Sequence, residues 1–169
     1  EAELSPQAFG GHPSCWHRDA GQTKPVPRPA LIVAVTDAAG TLRGVHRTWL
    51  APDGRAKAAV EIPRRAMGQL LGHALRIEPA GDCLVIGEGI ETMLSIREAA
   101  PRLSVWAALS SGHLGAVLLP EGLKRLYIAR DRDPAGQRAA ERLTARAAEA
   151  GISVVVLEPR LGDFNDDLL

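Results

Sequence analysis

An α/β fold, with a mostly parallel sheet flanked by helices and a small antiparallel β subdomain ahead of it, is predicted by three features of this 169-residue chain. Cys83 to Gly87, a short unbroken apolar run, has the character of a strand buried on both faces, and the apolar run Leu123 to Ala129 is among the further buried strands expected. They alternate with stretches of helical spacing, which implies crossover connections and a parallel sheet. Ahead of them, alternating apolar and polar residues interrupted by turn residues read as hairpins. The expected organisation is an irregular segment over 1–30, the antiparallel subdomain over 31–80 and the α/β domain over 81–169.

Taken in order, Glu1 to Pro29 is rich in Pro, Gly and polar residues, and Pro25, Pro27 and Pro29 alternate as in an extended linker. His12, Cys15 and His17 are metal-ligand types, but a structural zinc site takes four ligands and no second cluster supplies the fourth, so a loop packed by Trp16 is the expectation. Leu31 to Thr36, the turn Asp37-Ala38-Ala39-Gly40 and Leu42 to Leu50 form a hairpin, with Val45, Arg47 and Trp49 on one face and His46, Thr48 and Leu50 on the other. Lys57 to Ile62 is expected to add a third short strand, and Ala74 to Glu78 a further one.

At Pro79-Ala80-Gly81 the pattern changes. Cys83 to Gly87 is a strand and Gly89 to Ala100 a helix; Leu103 to Leu109 is a strand and Ser110 to Leu118 a short helix. Leu123 to Ala129 is a strand, Pro134 to Ala150 a long helix and Ile152 to Leu157 a last strand. In the long helix Ala135, Ala139, Leu143 and Ala147 recur every fourth residue and are expected to face the sheet. Arg138, Arg142 and Arg146 make a second row, read as a solvated face because Glu141 and Glu149 share the helix. Pro134 suits the first turn and Gly151 the stop.

Composition narrows the function classes. Hydrophobic residues at 46% and charged ones at 24% are ordinary for a globular protein, and a net charge of zero argues against a polyanion binder held by bulk electrostatics. The positive charge is almost wholly arginine, which suits forked contacts with phosphate. Two cysteines, Cys15 and Cys83, cannot build a disulfide framework, and no run approaches the ~18 apolar residues of a membrane span. A reducing, cytoplasmic setting without membrane attachment is expected. The chain starts at Glu1 without a methionine and is expected to be a fragment of something longer.

The chemistry gathers at the carboxyl ends of the predicted parallel strands, where open α/β sheets place their ligands. One strand delivers Glu88, with Glu91 one turn on; another delivers Asp131 and Asp133; Asp163, Asn165, Asp166 and Asp167 follow the last. Any one acid is equally a helix cap or a solvated loop charge. Three segments converging on one edge call for a cation, and carboxylates without His or Cys partners favour Mg²⁺, which uses few protein ligands and fills the rest of its shell with water and phosphate. Ser110-Ser111-Gly112-His113 opens a helix after a strand and offers backbone N–H groups to an anion, or is a plain cap; His113 is not expected to be a catalytic base.

Gly87-Glu88-Gly89 with Glu91, Asp131-Arg132-Asp133 with Gly136, and Asp163-Phe164-Asn165-Asp166 resemble the three acidic motifs of Toprim domains, found in DNA primases, topoisomerases and certain nucleases. Gly44 to Thr48 with Lys57-Ala58, Gly87 to Thr92 and Val105 to Ser110 resemble the primase-like Toprim proteins of plasmids, phages and mobile elements. The resemblance implies Glu88 as general acid/base, Asp131 and Asp133 as metal ligands and Asp163 as the third acid, with Mg²⁺ the cofactor and Mn²⁺ an alternative. Many primases carry an acid four residues after the glutamate, where Thr92 stands here. Glu91, Asn165 and Asp166 are therefore secondary candidates.

In that picture His46, Arg47 and Lys57 bind template or nucleotide phosphates, or are ordinary strand residues. The implied partners are a single-stranded DNA template and nucleotides, with a replicative helicase left open. A zinc-binding segment that often precedes this region in such proteins has no counterpart here. Primase-type primer synthesis is the leading expectation; a Toprim nuclease and a non-catalytic nucleic-acid-binding module are the alternatives. A topoisomerase needs an attacking tyrosine, and Tyr127 falls in a predicted buried strand.

Overall fold

The computed structural model describes residues 8–161, 163–164 and 166–168 and contains two sheets. Four antiparallel strands, β1 (Phe9–His17), β2 (Val26–Thr36), β3 (Leu42–Trp49) and β4 (Arg64–Gly68), follow one another in sequence and in space. The second sheet contains β5 (Leu75–Arg76), β6 (Cys83–Gly87), β7 (Ser104–Ala107), β8 (Arg125–Ala129) and β9 (Ser153–Leu157) in the order β5-β7-β6-β8-β9. It is parallel except for β5, which runs against β7. Helices α1 (Ile90–Ala99), α2 (Ser111–Ala116) and α3 (Pro134–Glu149) join its strands.

The unbroken apolar runs are explained by packing on both faces of this sheet. Leu84, Ile86, Leu126 and Ile128 point to one side, against Leu114 of α2 and Ala139, Leu143 and Ala147 of α3. Val85, Val105, Ala107 and Ala129 point to the other, against Ile90 and Met93 of α1 and Val33 of β2. The antiparallel sheet therefore shares a core with α1. Burying a side chain such as Leu143 contributes about 1.5–3 kcal/mol, so these two layers account for most of the packing.

Helix boundaries follow local chemistry. Asp133 caps α3 by accepting the Gly136 N–H at 2.7 Å, and Pro134 occupies the first turn, where its missing N–H costs nothing. Gly151, at φ 75°, turns the chain out of α3. Ser110 Oγ accepts the His113 N–H at the start of α2. The other end of α2 is closed from outside, by Arg146 of α3 donating to the carbonyls of Gly115 at 3.2 Å and Val117 at 2.9 Å. Arg138 and Arg142 are exposed as expected, but Arg146 is half-buried and structural rather than solvated.

The first half differs from the sequence expectation in three places. The segment expected to be irregular, 1–30, contains β1 and the start of β2. Its prolines are compatible with pairing because Ala34 sends its N–H to Ala8, so even-numbered donors of β2 face β1, while Pro27 and Pro29 withhold donors only on the opposite side, beyond the Ala30–Trp49 pair that ends β3. Lys57 to Ile62 is not a strand; Lys57 makes one isolated bridge to Leu50, and the pairing resumes after Pro63 as β4. Ala74 to Glu78 shrinks to the two residues of β5 and joins the parallel sheet, not the antiparallel one.

Trp16 does not pack a loop: it is 62% exposed on β1. His17 is 2% exposed, lies edge-on to Trp49 at 4.6 Å between ring centroids and has Nε2 3.1 Å from the Ile62 carbonyl, which accounts for it without a metal. No described helix is long and apolar enough to cross a membrane.

Candidate metal centre

Strands β6 and β8 end level, because Gly87 pairs with Ala129. Glu88 follows the first strand and Asp131 the second by two residues, so the register itself sets their side chains on one sheet edge. Two glycines make the approach possible. A Cβ on Gly87 would sit 2.8 Å from the Ala129 carbonyl oxygen, and one on Gly136 would sit 2.8 Å from the Asp131 carbonyl oxygen and 3.2 Å from Glu88 Oε1. The first turn of α3 is thereby pressed against both acids.

The acids perturb one another. Burial pushes the Glu88 carboxyl up to about 7, with the charges of Asp131 and Asp133 adding to the effect and the Ser111 backbone N–H opposing it. Asp131 is raised by burial and then by Asp133 and Asp163. Glu88 Oε1 is buried without a hydrogen-bond partner. Asp133 spends one oxygen on capping α3. Asp163 and Asp166 bond reciprocally, each accepting the other's backbone N–H at 2.9 and 3.1 Å, and this fixes the 3₁₀ turn Asp166–Leu168. Asp167 accepts from the N–H groups of Arg160 and Leu161. Asn165 lies outside the described residues.

Among the described residues, Glu88, Asp131 and Asp133 have no ion-pair partner; nearby Arg130 is turned to Glu158 and Arg132 to the Arg160 carbonyl. Repelling carboxylates, one with a buried unbonded oxygen, fit a hard divalent cation. No three acids, histidines or cysteines among the described residues form a closed cage. Mg²⁺ needs only one or two protein carboxylates, with water and phosphate completing its shell.

The secondary and phosphate candidates divide differently from the sequence grouping. Glu91 holds two cations of the first half, Lys57 Nζ at 3.3 Å and Arg64 Nη2 at 2.5 Å; its own backbone N–H, then Arg64 and Lys57, keep its carboxyl below the usual range despite partial burial. His46 is on the same side of β3, its pKa lowered by burial and by Arg64. Arg47 is on the opposite face, stacked over Trp49 with its guanidinium carbon 5.1 Å from the ring centroid. His46 and Lys57 are therefore brought towards α1, and Arg47 is not. Arg64 was legible only as one of two adjacent arginines. Tyr127 is half-buried among the apolar residues on the α1 side of the sheet.

A parallel α/β domain with an acidic edge, joined through α1 to an antiparallel sheet, is the class of protein that this fold and site define. Residues 83–169 match the family model of the Toprim domain, and the chain belongs to that family. Residues 2–77 match a domain of unknown function (DUF7146). No curated protein matches the chain. Among solved structures, the DnaG catalytic core is similar over 96% of this chain and 64% of its own, at TM-score 0.64 and 15% identity. A DNA primase domain from Pseudomonas aeruginosa is similar over 94% and 60%, at TM-score 0.60 and 14% identity. The RNA polymerase domain of Mycobacterium tuberculosis primase DnaG, solved with double-stranded DNA, is similar over 95% and 62%, at TM-score 0.55 and 18% identity. The chain thus spans about three fifths of the length of these structures, and at such identities the likeness is one of fold.

Proposed function

We propose that the chain performs metal-dependent nucleotidyl transfer on nucleic acid, as a unit of primase-type primer synthesis. The observation that carries this reading is the Glu88 carboxylate, with a buried unbonded oxygen, close to Asp131 and Asp133 at the level ends of β6 and β8, none of the three in an ion pair among the described residues. The fold likeness to primase structures supports it.

In this reading Glu88, Asp131, Asp133 and Asp163 would surround Mg²⁺, or Mn²⁺ in its place, one or two of them binding it directly and the others through water. When bound, the ion supplies the positive charge that orients a triphosphate and offsets charge on the departing pyrophosphate. The reaction joins the 3′-oxygen of a primer to the α-phosphorus of a nucleotide while the bond to pyrophosphate breaks, and the hydroxyl proton must go to a base. In this reading Glu88, at the same sheet edge as Asp131, is the group that takes that proton. A cleft of about 410 Å³ between β2, β3, the loop 54–57 and α1, lined by Thr48, Lys57 and Glu91 among others, lies one helical turn from Glu88 and offers room for template or nucleotide. The proposed partners are single-stranded DNA and nucleotides.

The test is incubation with single-stranded DNA, four ribonucleotides and Mg²⁺, with wild type and Asp131→Asn/Asp133→Asn compared. New complementary strands from the wild type alone support the proposal. Shortened DNA in a parallel arm without nucleotides would instead indicate a nuclease. Metal binding with neither product would indicate a non-catalytic binding module.

A further inference from the structure

A cleft of about 420 Å³ lies at the other end of the parallel sheet from the acids. It is bounded by β5, the turn 37–40 that joins β2 to β3, and the loop 78–80 that leads into β6. That loop is anchored at the start of β7, where Ser104 donates its hydroxyl to the Pro79 carbonyl at 2.8 Å. Glu88 and Asp131, in contrast, follow the carboxyl ends of β6 and β8.

One charge in this cleft is unmatched. Arg76 of β5 pairs with Trp106 of β7, and its guanidinium carbon lies 4.1 Å from the indole ring centroid. The ring is itself fixed: Trp106 is 1% exposed and donates from Nε1 to the Glu78 carbonyl at 3.0 Å. Stacking therefore holds the guanidinium in place, but its Nε and Nη2 are buried with no hydrogen-bond partner among the described residues. The acids of the neighbourhood are engaged by other groups. Glu78 is paired with Arg97 and accepts the Val105 N–H at 3.4 Å. Asp37 accepts from Arg43 Nη2 at 2.6 Å and from the N–H groups of Ala39 and Thr41 at 3.0 Å. Burial lowers the Arg76 pKa from the ordinary 12.5, and the charge of Asp37 opposes this only in part.

Buried donors left unbonded are costly, and an oxyanion supplies both the missing acceptors and the opposite charge. The remaining lining is mostly alanine and proline, which offers a bed for an apolar body. A cleft of this volume falls in the range of small-molecule sites and leaves room for more than an inorganic ion.

We propose that this cleft binds a small organic anion, a phosphate ester or a carboxylate, with its charged group on the Arg76 guanidinium and its apolar body against the alanine and proline walls. The inference does not depend on the metal centre.

Phenyl phosphate, benzoate, inorganic phosphate and phenol, each titrated into metal-free wild type and Arg76→Met, test it by nuclear magnetic resonance. At least one of the two organic anions is expected to shift the Trp106 indole N–H resonance saturably, with an affinity at least tenfold above that of inorganic phosphate or phenol. The indole resonances of Trp16 and Trp49 should stay in place. Tighter binding of phenyl phosphate marks the ligand as a phosphate ester, and tighter binding of benzoate marks it as a carboxylate. Arg76→Met keeps an unbranched apolar stem and removes the charge, and should weaken binding at least tenfold. Undiminished binding in folded Arg76→Met, equal binding of phenol, or no saturable shift with either anion would overturn the proposal. If Arg76→Met does not fold, the wild-type backbone amides decide: shifts centred on 36–40 and 76–80 support the cleft, and shifts centred elsewhere overturn it.

Discussion

Arg64 on β4 donates from Nη2 to Glu91 Oε1 at 2.5 Å, tying the last antiparallel strand to the first turn of α1. Glu91 also meets Lys57, so one carboxylate occupies two cations of the first half, of which Lys57 lines the cleft against α1. These groups are about half exposed, and each pair contributes at most about 1 kcal/mol. Glu91→Gln is therefore expected to lower unfolding stability by less than about 1 kcal/mol in denaturant titration. It should strengthen single-stranded DNA binding, read by fluorescence anisotropy, because Lys57 and Arg64 are released. Mn²⁺ affinity should stay within twofold, and a large loss would mean that Glu91 is a ligand after all.

Asp131→Asn/Asp133→Asn is expected to weaken Mn²⁺ binding at least tenfold in calorimetry without unfolding the protein. Asparagine caps helices as well as aspartate, so Gly136 keeps its acceptor. Asp133→Ala removes the cap as well and should cost about 1 kcal/mol more.

The pH dependence of stability in the absence of metal reports on Glu88. Its folded pKa, about 7, lies above the ordinary 4.5, so the folded state binds the proton more tightly than the unfolded chain does. The ionised carboxylate is thus a cost to the folded state, absent below about pH 4.5, growing as pH rises and complete above about 7. After allowance for solvent screening of a half-exposed group, the cost is about 1–2 kcal/mol. Unfolding of wild type and Glu88→Gln in chelator should show the wild type losing ground over this window. Parallel curves would exclude the raised pKa, and added Mg²⁺ should restore the wild type.

Gly136→Ala should disturb the site directly. The new methyl group meets the Asp131 backbone at 2.8 Å, and backbone cannot swing aside as a flexible side chain can. A stability loss of about 1–3 kcal/mol is expected. A tenfold or greater fall in Mn²⁺ affinity should accompany it, and unchanged affinity would show that the first turn of α3 does not shape the centre.

The second half of the chain was legible because its central strands β6, β7 and β8 are largely buried and α3 carries its own start and stop signals. Pro134 and Gly151 bracket α3, and the acids stand where parallel strands end. The first half was less legible because its strands depend on partners. Pro27 and Pro29 read as linker until β1 is known to lie on the side where β2 keeps its donors. The strand expected at Lys57 to Ile62 gives way to β4, whose Arg65 pairs with Arg47 in register and has no local pattern to announce it. At the candidate site, the placing of Glu88, Asp131 and Asp133 just beyond the ends of β6 and β8 followed from sequence position. The diversion of Glu91 to Lys57 and Arg64 did not, because it crosses from one sheet to the other. Nor did the left-handed backbone of Leu109, at φ 75° between β7 and α2, since leucine is the wrong residue to signal one.

Helix α2 has six residues, too few to hold its own shape in water, and one of its ends is closed by a side chain from another helix. The loop that touches Glu88 therefore continues into an element whose order is partly on loan from Arg146, some thirty residues later in the chain. Sequence drift along the outer surface of α3 is constrained accordingly: Arg138 and Arg142 are open to exchange, whereas Arg146 carries a burden that its place in a row of three similar arginines conceals.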